Sequence, residues 1–112
     1  MTGLDPFSLT VEEDAATLLL RLEGEFDLNT IGRVELALDT IRNLTEHVVF
    51  DLRDVSFLDM AGVMTLMRAH QRSHREAFDV QVVAPTGLAR RVFTLTRAGT
   101  ELTMLAERPV YS

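Results

Sequence analysis

The chain has 112 residues and a formal net charge of −6, with 17 acidic residues against 11 basic ones. Every basic residue is arginine, and neither lysine nor cysteine occurs. That composition excludes Schiff-base and P-loop chemistry, thiol catalysis, disulfides and cysteine-ligated zinc. The acidic balance opposes binding to nucleic acid or to an anionic membrane surface. The apolar runs are too short and too broken by charge to cross a bilayer. The length suits one compact domain, residues 1–112. The start, MTGLDPFSLTVEED, lacks the basic and apolar stretches of a signal peptide, so a cytoplasmic protein is expected.

Phe7, Leu9 and Val11 alternate with Ser8, Thr10 and Glu12, the period of a half-buried strand. Glu13-Asp14 is expected to turn the chain into a second strand carrying Leu18, Leu20 and Leu22, ended by Gly24. From about Leu28 the period becomes helical, with Ile31, Val34, Leu38 and Ile41 on one stripe and Asp27 or Asn29 as candidate caps. HVVFDL is a continuous apolar run, suited to a strand covered on both faces. A second helix is expected after Asp59, running to about His74, with Arg68, Arg72 and Arg75 towards the end where cations complement the helix dipole. FDVQVVA reads as a strand. Pro85, Thr86 and Gly87 open a third helix, with Leu88, Val92 and Leu95 on one face, Ala89 and Phe93 beside it, and Gly99 as its stop. ELTML reads as a last short strand and ERPVYS as a tail. Strand–helix alternation after the hairpin predicts parallel pairing with right-handed crossovers.

Two stretches carry a resemblance. VVFDLRDVSFLDMAGVMTLMRAHQRS resembles the signature of STAS domains of the anti-sigma factor antagonist type: a strand ending in Asp, a short link, an apolar pair, a second Asp, two small residues usually including Ser, then Gly and an apolar helix. LEGEFDLNTIGRVELAL and APTGLARRVFTLTRAG are similar to the flanking segments of that family. The resemblance implies an α/β fold: a single STAS domain whose central mixed β-sheet begins with an N-terminal hairpin and carries three to four helices. It also implies a non-enzymatic regulator that binds an anti-sigma factor or a serine-kinase-like ATPase domain; a monomer or weak dimer is expected. No cofactor and no metal are implied. In the family a serine at the start of the second helix takes phosphate and so releases the partner. That position falls on Ala61, which is not phosphorylatable, and the position before it is Met60. The expected partner-binding residues are Asp27, Asp59, Met60, Ala61, Gly62 and Met64, with Ala61 and Gly62 allowing close approach of a partner. Two other functions stay open: a small-ligand- or nucleotide-binding STAS domain, and a structural subunit of a signalling or lipid-transport assembly.

The remaining polar residues have plainer readings. Asp27, Asp51, Asp54 and Asp59 are enough carboxylates for a Mg²⁺ site, but Asp51 and Asp54 are expected to end strands and face water. A phosphoacceptor receiver needs a lysine that the chain lacks. His70 and His74, one helical turn apart, are expected to face solvent; the spacing suits a metal, but no cysteine supports one and His47 belongs to another element. Met60, Met64 and Met67 follow helical spacing on a helix apolar over more than one side, so part of that stripe is expected at the surface. Arg90 and Arg91 read as a solvated helix face. Thr65 and Ser56 are the hydroxyls nearest to the missing acceptor, and a helical threonine normally bonds its own backbone.

Overall fold

The computed structural model describes residues 7–109. An antiparallel hairpin of β1 (Phe7–Asp14) and β2 (Thr17–Phe26) comes first. It is followed by α1 (Ile31–Leu38), β3 (His47–Leu58), α2 (Met60–Glu76), β4 (Asp79–Val83), α3 (Gly87–Thr94), α4 (Ala98–Glu101) and β5 (Thr103–Leu105). The strands form one sheet in the order β1-β2-β3-β4-β5, and every pairing after the hairpin is parallel. The α/β fold with a mixed sheet, an N-terminal hairpin and four helices is thus the one expected.

Register explains the core. Leu18 pairs with Val48 and Leu20 with Phe50, while Val48 and Phe50 pair in turn with Val80 and Val82. Successive strand side chains alternate faces, so these residues share one face of the sheet. Val34 and Leu38 of α1 and Val63 and Leu66 of α2 close over them, and all are buried. On the opposite face Val49, Asp51 and Val83 are also buried. The central strand is therefore covered on both sides, as the continuous run HVVFDL implies.

Several boundaries differ from expectation. Glu13 and Asp14 remain in β1, and the turn is Ala15–Ala16, since Asp14 pairs with Thr17. Ala15 occupies the left-handed region at φ 51°. Gly24 bends β2 rather than ending it: at φ 90° it sits where the β2–β3 register slips, and the strand continues to Phe26. α1 starts only at Ile31, because Asp27 and Thr30 bond each other and hold the preceding residues in a turn. Ile41 lies beyond the helix, still packed on the core. In α3 the buried residues are Ala89 and Phe93, one turn apart, whereas Leu88 and Leu95 are 73% and 87% exposed. Of the expected stripe only Val92 packs against the core, so the buried face is centred on Ala89 and Phe93 instead. Gly99 does not stop α3. The helix ends at Thr94, where the Thr94 and Thr96 hydroxyls donate to the carbonyls of Arg91 and Phe93, and Gly99 lies inside α4.

Asp51 is the clearest departure from a water-facing acid. Its side chain is 2% exposed and accepts from the Arg53 guanidinium at 2.9 and 3.1 Å, from the Arg53 backbone N–H at 3.2 Å and from Arg108 Nε at 2.7 Å. Burial alone would push its pKa up. The hydrogen bonds from Arg53 and Arg108 outweigh that and hold it at about 2, below the ordinary 3.8. Arg108 follows β5, at the far edge of the sheet, yet it bonds the central strand and comes within 3.9 Å of Glu12 on β1. The start of the expected tail thus folds back across the second face. Val110, Tyr111 and Ser112 lie outside the described residues.

Candidate functional site

The end of β3 delivers Asp59 in an extended conformation, with φ −110° and ψ −178°, directly before α2. A helix begins with backbone N–H groups that have no partner within it. Asp59 satisfies one of them: its Oδ1 accepts from the Gly62 N–H at 3.0 Å, a helix cap of the usual kind. Its other oxygen accepts from the Leu28 N–H at 3.1 Å. One carboxylate therefore ties the β2–α1 turn to the start of α2.

The β2–α1 turn is built with equal care. Asp27 Oδ1 accepts from the Asn29 N–H at 2.9 Å, closing an Asx turn. Thr30 Oγ1 accepts from the Asp27 N–H and donates to the Glu25 carbonyl, each at 2.9 Å. Neither Asp27 nor Asn29 caps α1; Thr30 holds that position, without a side-chain cap bond. Between Asp27 and Asn29, Leu28 projects into solvent and is 70% exposed.

Gly62 fits a narrow space. A Cβ there would lie 2.7 Å from the Phe26 carbonyl oxygen and 2.8 Å from Leu58 Cδ1. The start of α2 thus packs against the end of β2 at a distance only glycine permits. Gly62 is buried and faces the protein's own backbone, so it acts from beneath by setting the height at which its neighbours stand. Ala61 is half-buried. Met60 and Met64 are 57% and 46% exposed, while Met67 is buried. The methionine stripe divides between surface and core at that point.

All six expected residues fall at this one corner. Asp27, Asp59 and Gly62 shape it; Met60, Ala61 and Met64 reach its surface. Sequence reasoning missed Leu28 and Phe57, the latter about half exposed two residues before Asp59. It also missed Leu95. From Met60 and Met64 the apolar surface continues into a groove of about 430 Å³ between α2 and the α3–α4 segment, lined in part by Val63, Met67, Leu95 and Ala98. No periodicity could have flagged Leu28. The available signal was a large apolar residue inside an otherwise polar turn, DLNT.

The four aspartates do not form a cation site. Asp51 is held by Arg53 and Arg108, and Asp54 pairs with Arg21 at 3.0 Å. Asp27 and Asp59 are engaged by backbone N–H groups. Among the described residues no group of three or more His, Asp or Glu is placed to hold a metal. Thr65 is buried and donates to the Ala61 carbonyl at 2.9 Å, the back-bonding expected of a helical threonine. Ser56 is exposed on β3. Among the described residues no helix is long and apolar enough to cross a membrane.

Fold and corner together define a class: a small α/β domain that presents a capped helix start ringed by apolar side chains. Residues 8–108 match the family model of the STAS domain. The chain belongs to the STAS domain family. Over 76 residues it is 25% identical to an anti-sigma F factor antagonist of Paenibacillus polymyxa; the match covers 66% of this chain and spans 65% of that relative's length. Its fold is similar to that of an anti-sigma factor antagonist from Mycobacterium paratuberculosis, with a TM-score of 0.76 at 24% identity, covering 93% of this chain and 89% of the other. It is also similar to the Bacillus cell fate determinant SpoIIAA in its phosphorylated form, with a TM-score of 0.68 at 19% identity, covering 88% and 91%.

Proposed function

We propose that this protein is an anti-sigma factor antagonist that works by binding rather than by catalysis, and that its docking site is the corner formed by the β2–α1 turn and the start of α2. One observation carries the reading above the others. A corner rigidly fixed by Asp59 and Gly62 exposes Leu28, Met60 and Met64 together. Exposed apolar groups gathered on a rigid support mark an interface rather than an ordinary surface. The partner is an anti-sigma factor or a serine-kinase-like ATPase domain. The similarity to antagonists named for anti-sigma factors supports that partner.

The means of control differs from that of a phosphorylated antagonist such as the SpoIIAA form noted above. Ala61 and Met60 offer no hydroxyl, and the Thr65 hydroxyl is buried in a bond to Ala61. An antagonist built this way binds without a covalent off-state, and its occupancy follows the amounts of the two proteins.

The test is a pull-down from the source organism with wild-type and Met64→Glu baits in parallel, followed by titration of the recovered partner. A charge placed at a buried interface loses its hydration without gaining a counter-ion. Met64→Glu therefore binds at least ~10-fold more weakly, about 1.4 kcal/mol. It melts close to wild type, because the side chain is already half in water. Equal binding by the variant removes this corner from the interface. Recovery of no anti-sigma factor by the wild-type chain removes the proposed partner.

A further inference from the structure

We propose that the partner's contact runs on from the docking corner along the outer face of α1, where Gly32 lets an α-helix of the anti-sigma factor approach the backbone closely. This rests on the docking corner proposed above, since Leu28 belongs to both surfaces. Leu28 and Leu36 are 70% and 71% exposed, and exposed Gly32 stands midway between them in the chain. A spacing of four places residues one above another on a helix. The helical winding already holds before α1, because the Ile31 N–H donates to the Asp27 carbonyl, four residues back, at 3.0 Å. Val34, Ala37 and Leu38 occupy the opposite side of α1 and are buried in the core.

Nothing within the fold requires a glycine at position 32. Unlike Gly62, it has open space above it: a Cβ built there meets no atom within 4 Å. Its φ is not positive either. Glycine loses more chain entropy in a helix than alanine does, so Gly32 weakens α1 without an internal return. What it supplies is a notch between two leucines, open to another backbone. The charged neighbours are drawn aside. Arg33 donates to the Phe7 carbonyl at 3.3 Å and lies over the Phe7 ring, while Glu35 pairs with Arg68 at 3.5 Å. The row between them is apolar and about 12 Å long at the helical rise, the length of two turns of a partner helix. Exposed Asp39 follows at the end of α1, and the chain carries a net charge of −6. Both select a helix with an apolar side flanked by basic residues.

The experiment titrates the purified anti-sigma factor recovered with the wild-type bait against full-length variants, with a thermal melt of each. Gly32→Ala fills the notch slightly and Gly32→Leu fills it completely. Binding falls about 3-fold for the first and at least ~10-fold for the second. Both variants melt at or above the wild-type temperature, because alanine and leucine are better helix formers and the space above position 32 is open. Leu36→Glu, outside the corner, also binds at least ~10-fold more weakly, about 1.4 kcal/mol. Leu44→Glu, at a site 83% exposed beyond α1, binds as the wild type does. Asp39→Arg, a charge reversal at the rim, slows association; faster association overturns the basic partner helix. Equal or tighter binding by Gly32→Leu overturns the close approach, since an apolar contact without it gains from the added side chain. If Met64→Glu weakens binding while Gly32→Leu and Leu36→Glu do not, the corner stands and its extension along α1 falls. If Met64→Glu has no effect either, the corner itself is removed.

Discussion

Asp59 spends both carboxylate oxygens on the protein's own backbone, one on Gly62 and one on Leu28. In the proposed docking site its part is therefore to set the shape of the corner. Ala61 is where the family resemblance and the chemistry part, and it yields a direct prediction. Ala61→Ser adds one oxygen at a half-buried position in the first turn of α2, where phosphate is favoured by free N–H groups and the dipole. With an antagonist-directed serine kinase and ATP, the variant gains one phosphate by intact-mass spectrometry and the wild type gains none. The phosphorylated variant, carrying roughly −1.5 to −2 extra charge beside Asp59, binds the partner at least ~10-fold more weakly. Phosphate on the wild-type chain, at exposed Ser56 for instance, would overturn the unswitched reading. Asp59, Met60, Ala61 and Gly62 were all legible in the sequence, because a short motif places them side by side. The bond from Leu28 to Asp59 was not, because it joins residues 31 apart. Local pattern carries no information about such a pairing.

Elements were legible where one period governs a whole segment, and misread where the chain changes direction. α2 was recovered almost to its ends because its apolar spacing persists over several turns. In α3 the centre of the buried face was misplaced, from Leu88 and Leu95 to Ala89 and Phe93, because eight residues give two competing stripes. Ala89 and Phe93 won burial since they pack together with Ala98 and Leu102 in the core. The hairpin was misplaced by one residue pair because its turn, Ala15–Ala16, contains none of the usual turn formers. The far end of α2 shows the same economy. Its C-cap, Ala77, adopts the left-handed conformation at φ 58° and ψ 38°, where a Cβ is a burden that glycine lacks. Ala77→Gly is predicted to stabilise the protein by about 0.5–1 kcal/mol, after allowing for the greater freedom of glycine in the unfolded chain. Urea denaturation at constant slope measures it. A lower midpoint for the variant would show that Ala77 makes packing contacts worth more than the relief of its backbone.

For the molecule as a whole, the least legible feature was the burial of Asp51, since nothing local reveals that the chain returns to cover it. Its folded pKa of about 2 lies below the ordinary 3.8. The ionised form is therefore the one that the fold favours. The stabilisation is complete above the unfolded value and disappears as pH falls from about 4 through about 2, a loss of roughly 2 kcal/mol. Asp51→Asn removes this part of the acid dependence, so its stability curve is flatter than wild type over that interval. Thermal melts across the pH range test the difference, and parallel curves would deny Asp51 the role. The same ion pair has a consequence in time. Asp51 and Arg108 are 57 positions apart, whereas Arg53 is two away. As the chain leaves the ribosome from its N-terminus, the central strand emerges long before Arg108. Until then its carboxylate has only Arg53 for a partner. The covering of the middle strand on this face thus depends on a residue made after every strand of the sheet.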